Sequence, residues 1–131
     1  MTPLLWIVVK MGIVTWLALL LASLMRAQGW TPPGFLLALG NRDNMPAPSA
    51  VAGRATRASV NTLEAFVLFA PLALVAHAVA AANPQVLLGA QIFFWSRLVY
   101  LAVYVAGIAY VRTLVWGAGY AGLVMMILGL G

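Results

Sequence analysis

Arg54-Ala-Thr-Arg57-Ala-Ser-Val-Asn61-Thr-Leu-Glu64 carries most of the polar chemistry in a chain that is otherwise apolar. Arg54, Arg57, Asn61 and Glu64 stand at i, i+3, i+7 and i+10. On a helix of 3.6 residues per turn that spacing is one face. The segment runs straight into 65–82, which is almost wholly apolar. A cationic stripe therefore continues into a stretch that enters a membrane. A carboxylate such as Glu64 is costly at membrane depth and is held against a partner or a water-filled cavity.

Composition supports the membrane reading. Hydrophobic residues make up 65% of the 131 and charged residues only 7%, where a soluble domain carries about 25% charged. The net charge of +5 is assigned to holding one side of a membrane protein in the cytoplasm. No basic patch is left over for nucleic acid once the spans are removed. The chain has no cysteine. Disulfides and a protein thiol nucleophile are excluded, and any sulfur chemistry must use a ligand's thiol.

Four spans follow, at about 4–25, 57–82, 85–105 and 112–130, in a single all-α membrane domain. The first is long enough for a bilayer core. It lacks a basic leader stretch and is too long for a cleaved signal, so it is read as a membrane helix. Lys10 interrupts it. A lysine there reaches to the nearer interface or, as the minority reading, meets a buried partner. Residues 26–53 form the one long loop, rich in Pro and Asn, with a short interfacial turn over 35–39. The second helix runs from Arg54 to Ala82, and Pro71 is expected to kink it. His77, near its end, has no second ligand at helical spacing and is read as an interfacial or core residue. Asn83-Pro84 makes a tight turn. In the third span Arg97, Tyr100 and Tyr104 share a face at i, i+3 and i+7. Gly107 breaks it, 108–111 connects, and Arg112 opens the fourth.

Arg26, Arg42, Arg54 and Arg57 flank the first loop and Arg112 borders the third, so loops one and three are cytoplasmic and both termini lie on the other side. Glu64 then lies about 15 Å along its helix from Arg54, and Arg97 about 12–15 Å from the cytoplasmic end of the third. The two polar faces occupy the same half of the membrane. This predicts a binding site for a charged, polar ligand. The plainer alternative is a buried Glu64–Arg97 ion pair that pins the two helices. It leaves Arg57 and Arg97 short of anions. Gly117-Ala-Gly-Tyr-Ala-Gly122 matches G-x-G-x-x-G but lies in an apolar helix with no preceding strand, so it is not a dinucleotide site. Ala118-xxx-Gly122 is instead expected to let helices approach closely.

The Arg54–Glu64 stretch resembles the signature of the MAPEG family, membrane-associated proteins in eicosanoid and glutathione metabolism. So does Arg97-Leu-Val-Tyr100-Leu-Ala-Val-Tyr104-Val-Ala-Gly107, followed by Arg112. The resemblance implies a left-handed four-helix bundle assembled as a homotrimer, with glutathione held between subunits. By position it implies Arg57, Asn61, Glu64 and Arg97 as glutathione contacts, with Arg54 and Arg26 as further candidates. Tyr100, Tyr104 and Arg112 would be catalytic, stabilising the thiolate. Ala65 stands where some glutathione-using members carry a tyrosine, Ser59 replaces a larger polar residue, and Ala109 replaces a common proline. The short loops resemble a bacterial member, which implies an inner membrane with periplasmic termini. The implied activity is a glutathione-dependent transferase or peroxidase acting on lipophilic electrophiles or lipid hydroperoxides. The competing readings are a non-catalytic member that binds membrane lipid or acts as a scaffold, and a small four-span exporter. The exporter needs an acid in the first span, where this chain has Lys10.

Overall fold

A computed structural model describes residues 1–131. It contains five helices and no strand. They are α1 (Pro3–Ala27), α2 (Pro32–Leu39), α3 (Ala50–Ala80), α4 (Pro84–Ala106) and α5 (Ala109–Leu128). Four of them, all but α2, are long and apolar enough to cross a membrane. The chain is an integral membrane protein.

Each boundary has a local cause. Thr2 caps α1 and accepts from the Leu5 N–H, with Pro3 at the first helical position, where its missing N–H costs nothing. Thr31 caps α2 in the same way, ahead of Pro32 and Pro33. The turn expected over 35–39 is thus a fuller helix that begins at the two prolines. Helix α3 starts four residues before Arg54. Ser49 accepts from the Ala52 N–H at 3.1 Å, so residues 50–53, read as loop from their Gly and nearby Pro, form its first turn. Pro71 lies inside α3, which continues as one helix through it. Its ring is exposed, on the face turned away from the bundle.

Asn83 fastens two helices. Its Oδ1 accepts from the Gln85 N–H at 2.8 Å, and its Nδ2 donates to the Gly129 carbonyl at 2.8 Å. Helix α4 ends at Gly107 with φ +86°. The Gly107 N–H returns to Tyr104 O and the Ile108 N–H to Val103 O, the paired bonds of a Schellman stop. This closes α4 so tightly that α5 begins at Ala109, three residues before the expected start at Arg112.

The core is narrow and built from small residues. Phe69 of α3 stacks on Phe93 of α4 with ring centroids 4.5 Å apart. Leu4, Met11, Val86 and Met126 are buried around them, with Ala65, Ala73, Ala76 and Ala90 completing the layer. Helices α4 and α5 approach most closely at Gly89 and Gly122. A Cβ on Gly122 would lie 2.6 Å from the Gly89 carbonyl oxygen. The close approach expected at Ala118 and Gly122 is therefore made by Gly119 and Gly122, which are buried, while Ala118 is exposed.

The start of α1 is level with the end of α3. Thr2 Oγ1 lies 3.3 Å from His77 Nδ1. The contact is part-buried and single. Replacing His77 with alanine should lower the unfolding free energy by about 1 kcal/mol or less, and it should leave ligand binding unchanged. Unfolding in mixed micelles, together with a binding titration, checks both.

Candidate functional site

The N-terminal half of α3 and the C-terminal half of α4 face each other, and the start of α5 closes one side. Two grooves meet there. One, of ≈ 340 Å³, is lined by Thr56, Arg57, Val60, Asn61, Glu64, Tyr100 and Tyr104. The other, of ≈ 210 Å³, is lined by Asn61, Tyr100, Tyr104, Arg112, Thr113 and Trp116. Asn61 and the two tyrosines are common to both, so they form one cleft. The i+4 and i+3 steps on α3 and the i+4 step on α4 aim these side chains at it.

Arg57 Nε donates to the Tyr104 hydroxyl oxygen at 3.3 Å, and the Arg112 guanidinium lies 4.6 Å from the Tyr104 ring centroid. Tyr104 is gripped by two cations, one at its oxygen and one on its face. Accepting from Arg57 leaves the phenolic hydrogen free to donate into the cleft. The Tyr100 and Tyr104 rings meet edge to face at 5.4 Å.

Arg97 lies beneath the cleft and lines neither groove. It is 1% exposed. Its Nη2 donates to Asn61 Oδ1 at 2.9 Å and to Thr62 Oγ1 at 3.0 Å. Its guanidinium sits 4.0 Å from the Tyr100 ring centroid, and Nε and Nη1 have no partner. An arginine has only donors, so it must face the carbonyl end of Asn61. The Asn61 NH₂ is thereby left for the cleft. The alternative of a Glu64–Arg97 pin is not what the structure contains. Arg97 bonds Asn61 and Thr62, and Glu64 is exposed at the mouth of the cleft.

Two other cations singled out in the sequence stand elsewhere. Arg54 Nε donates to the Val105 carbonyl at 2.9 Å, and its guanidinium packs over Gly107. A cation at the last turn of α4 stabilises its open carbonyls, so Arg54 is a clamp on that helix end. Arg26 donates from Nη1 to the Pro46 carbonyl at 2.6 Å and lines a separate cavity of ≈ 400 Å³ under the connection from α1 to α3. Within one chain neither reaches the cleft. Thr56, Thr113 and Trp116 were not among the sequence candidates. Trp116 is one turn beyond Arg112 and stacks near Tyr120 at 4.4 Å. Its spacing from Arg112 was the available signal.

A four-span helical membrane bundle with an arginine- and tyrosine-lined cleft in one half defines the class of protein. The family model described as the MAPEG family matches residues 3–131, and the chain belongs to that family. No curated protein and no solved structure matches it. Membership supports a membrane protein of glutathione and eicosanoid metabolism.

Proposed function

We propose that the cleft binds glutathione and activates its thiol for attack on a lipophilic electrophile or a lipid hydroperoxide. The observation that carries this reading is the convergence of Arg57, Asn61, Glu64, Tyr100, Tyr104 and Arg112 on one cleft. Their chemistry matches a zwitterionic peptide with excess negative charge. Arg57 suits a carboxylate, Glu64 suits an ammonium, and the Asn61 NH₂ suits a peptide carbonyl. Arg112 and the Tyr104 hydroxyl remain for the sulfur. A free thiol titrates at about 8.5, so only a few per cent is thiolate at pH 7, and an adjacent guanidinium raises that fraction.

The thiolate then forms a carbon–sulfur bond, and the electrophile's leaving group departs or its strained ring opens. With a hydroperoxide, sulfur takes one oxygen as the O–O bond breaks, and an alcohol leaves. A second glutathione displaces that oxygen as water and yields the disulfide.

We read the cleft as shared with a neighbouring copy in a homotrimer. Arg57 and Glu64 are exposed in a single chain. At membrane depth each bare charge costs about 2.5–3.5 kcal/mol, which favours a second protein surface over lipid. A bacterial inner membrane, from the short loops, and periplasmic termini, from the cations that flank the first and third loops, belong to this proposal.

The test is an ultraviolet difference titration of detergent-purified protein with glutathione near neutral pH, where thiolate absorbs and thiol does not. A saturable thiolate band is expected. Arg112→Ala should keep binding but lose the band. Arg57→Ala should weaken binding about 10- to 100-fold, the value of a charge-assisted hydrogen bond. Absence of saturable binding would replace this reading with a non-catalytic, lipid-binding member of the family.

A further inference from the structure

Helices α1 and α4 start on the same membrane face, because α3 delivers α4 there through the Asn83 turn and ends level with Thr2. Between them runs a groove of ≈ 610 Å³ that includes Trp6, Lys10, Gln91, Phe94 and Trp95. It is in the opposite half of the bundle from the cleft and shares no residue with it.

Lys10 and Gln91 are each the eighth residue of their helix. Both therefore lie about 10 Å from the helix start, at one depth. Trp6 is one turn nearer the surface and Trp95 one turn deeper. They are 49% and 62% exposed, and Phe94 meets Trp95 edge to face at 5.4 Å. The floor of the groove is thus a lysine beside an amide, and its walls are aromatic.

The groove has no anion of its own. The chain's only acids are Asp43 and Glu64. Asp43 is in the connection between α2 and α3, at the other end of the bundle, and Glu64 opens into the cleft. The ammonium, the Gln91 NH₂ and the two indole N–H groups make a set dominated by donors. Such a set suits a group with several acceptor oxygens and a negative charge. The aromatic walls suit hydrocarbon, and Trp and Lys share the interfacial level at which headgroups lie.

We infer that this groove seats one anionic phospholipid, with its phosphate on Lys10 and Gln91, Trp6 beside the headgroup, and an acyl chain running deeper along Phe94 and Trp95. The site goes beyond the glutathione cleft and stands without it. It gives Lys10 a bound counterion in place of a free reach to the interface.

The experiment uses the full chain in phosphatidylcholine vesicles. Bromine-labelled phosphatidylglycerol or bromine-labelled phosphatidylcholine is added at equal mole fraction, and tryptophan quenching is read. The Trp95 contribution is the difference between the parent and Trp95→Phe. That contribution should be quenched by the anionic lipid at about fivefold lower mole fraction than by the zwitterionic one, the worth of one lysine at a membrane surface. Lys10→Met should abolish the preference, and Lys10→Arg should retain it. Both variants lie on an exposed position and keep the bundle. An equal preference in parent and Lys10→Met would overturn the site. So would a Trp95 that neither lipid quenches, since a neighbouring copy would then cover the groove.

Discussion

Gly122→Ala and Gly89→Ala should each lower the unfolding free energy by about 1–3 kcal/mol, while Gly117→Ala should leave it equal or raise it. The opposite signs follow from what a Cβ would meet. On Gly122 it would lie 2.6 Å from the Gly89 carbonyl oxygen and 2.9 Å from the Phe93 nitrogen. Both are backbone atoms of α4, so no side chain can turn aside and the helices must separate. Separation costs contacts along the whole α4–α5 seam, and overpacking penalties of about 1–3 kcal/mol are usual. On Gly117 the Cβ would meet nothing within 4 Å, and alanine is about 0.5–1 kcal/mol better than glycine in a helix interior. The double variant Gly89→Ala with Gly122→Ala should cost less than the sum, because helices already parted by one methyl admit the second more cheaply. Unfolding of the parent and the four variants in mixed micelles measures all of this. Parent-like stability in Gly89→Ala would mean that the seam is not in contact. The effect reaches the cleft as well, since Arg112 and Trp116 ride on α5 and face residues of α3 and α4.

The spans were legible because hydropathy and length alone decide them. Their ends were not, because ends depend on single hydrogen bonds. Ser49 turns a Gly-bearing stretch just after two prolines into the first turn of α3, and the Gly107 stop lets α5 begin early. The cleft was legible in part for a geometric reason. Arg57, Asn61 and Glu64 fall within a narrow arc of one helix, and Tyr100 and Tyr104 within a narrow arc of another. Arg54 and Arg97 share those arcs by spacing but do not line the cleft. Arg54 meets the end of α4, which periodicity cannot locate. Arg97 turns to Thr62, which belongs to a different stripe of α3. That stripe runs Ala58, Thr62, Ala65, Phe69, Ala73 and Ala76, all buried. A lone hydroxyl in a row of alanines at i+3 and i+4 was the readable sign of a polar partner arriving from another helix.

Arg97→Leu should weaken glutathione binding about tenfold or more without lowering stability. Two terms oppose each other. The variant loses hydrogen bonds from a charged donor to Asn61 and Thr62, worth about 1.5–3 kcal/mol each. It also removes a buried cation with two unpaired nitrogens and no carboxylate beside it, and desolvating such an ion costs several kcal/mol. Neither former partner is stranded. Thr62 can bond a carbonyl one turn back along α3, and Asn61 is only half-buried and can turn to the cleft. The unfolding midpoint should therefore stay at or above that of the parent. Binding should fall for a different reason. Without Arg97 the Asn61 amide loses the partner that fixes which end faces the cleft, and Tyr100 loses the cation on its ring. A drop of about tenfold or more in glutathione affinity is expected, the value of one oriented polar contact. Arg97→Lys separates charge from shape. It keeps the cation but not the planar fork that reaches Asn61 and Thr62 while lying over Tyr100, so it should bind poorly as well. A collapse of the midpoint in Arg97→Leu with affinity intact would make Arg97 a pin between α3 and α4. Intact stability with lost affinity makes it the residue that holds the floor of the cleft in register.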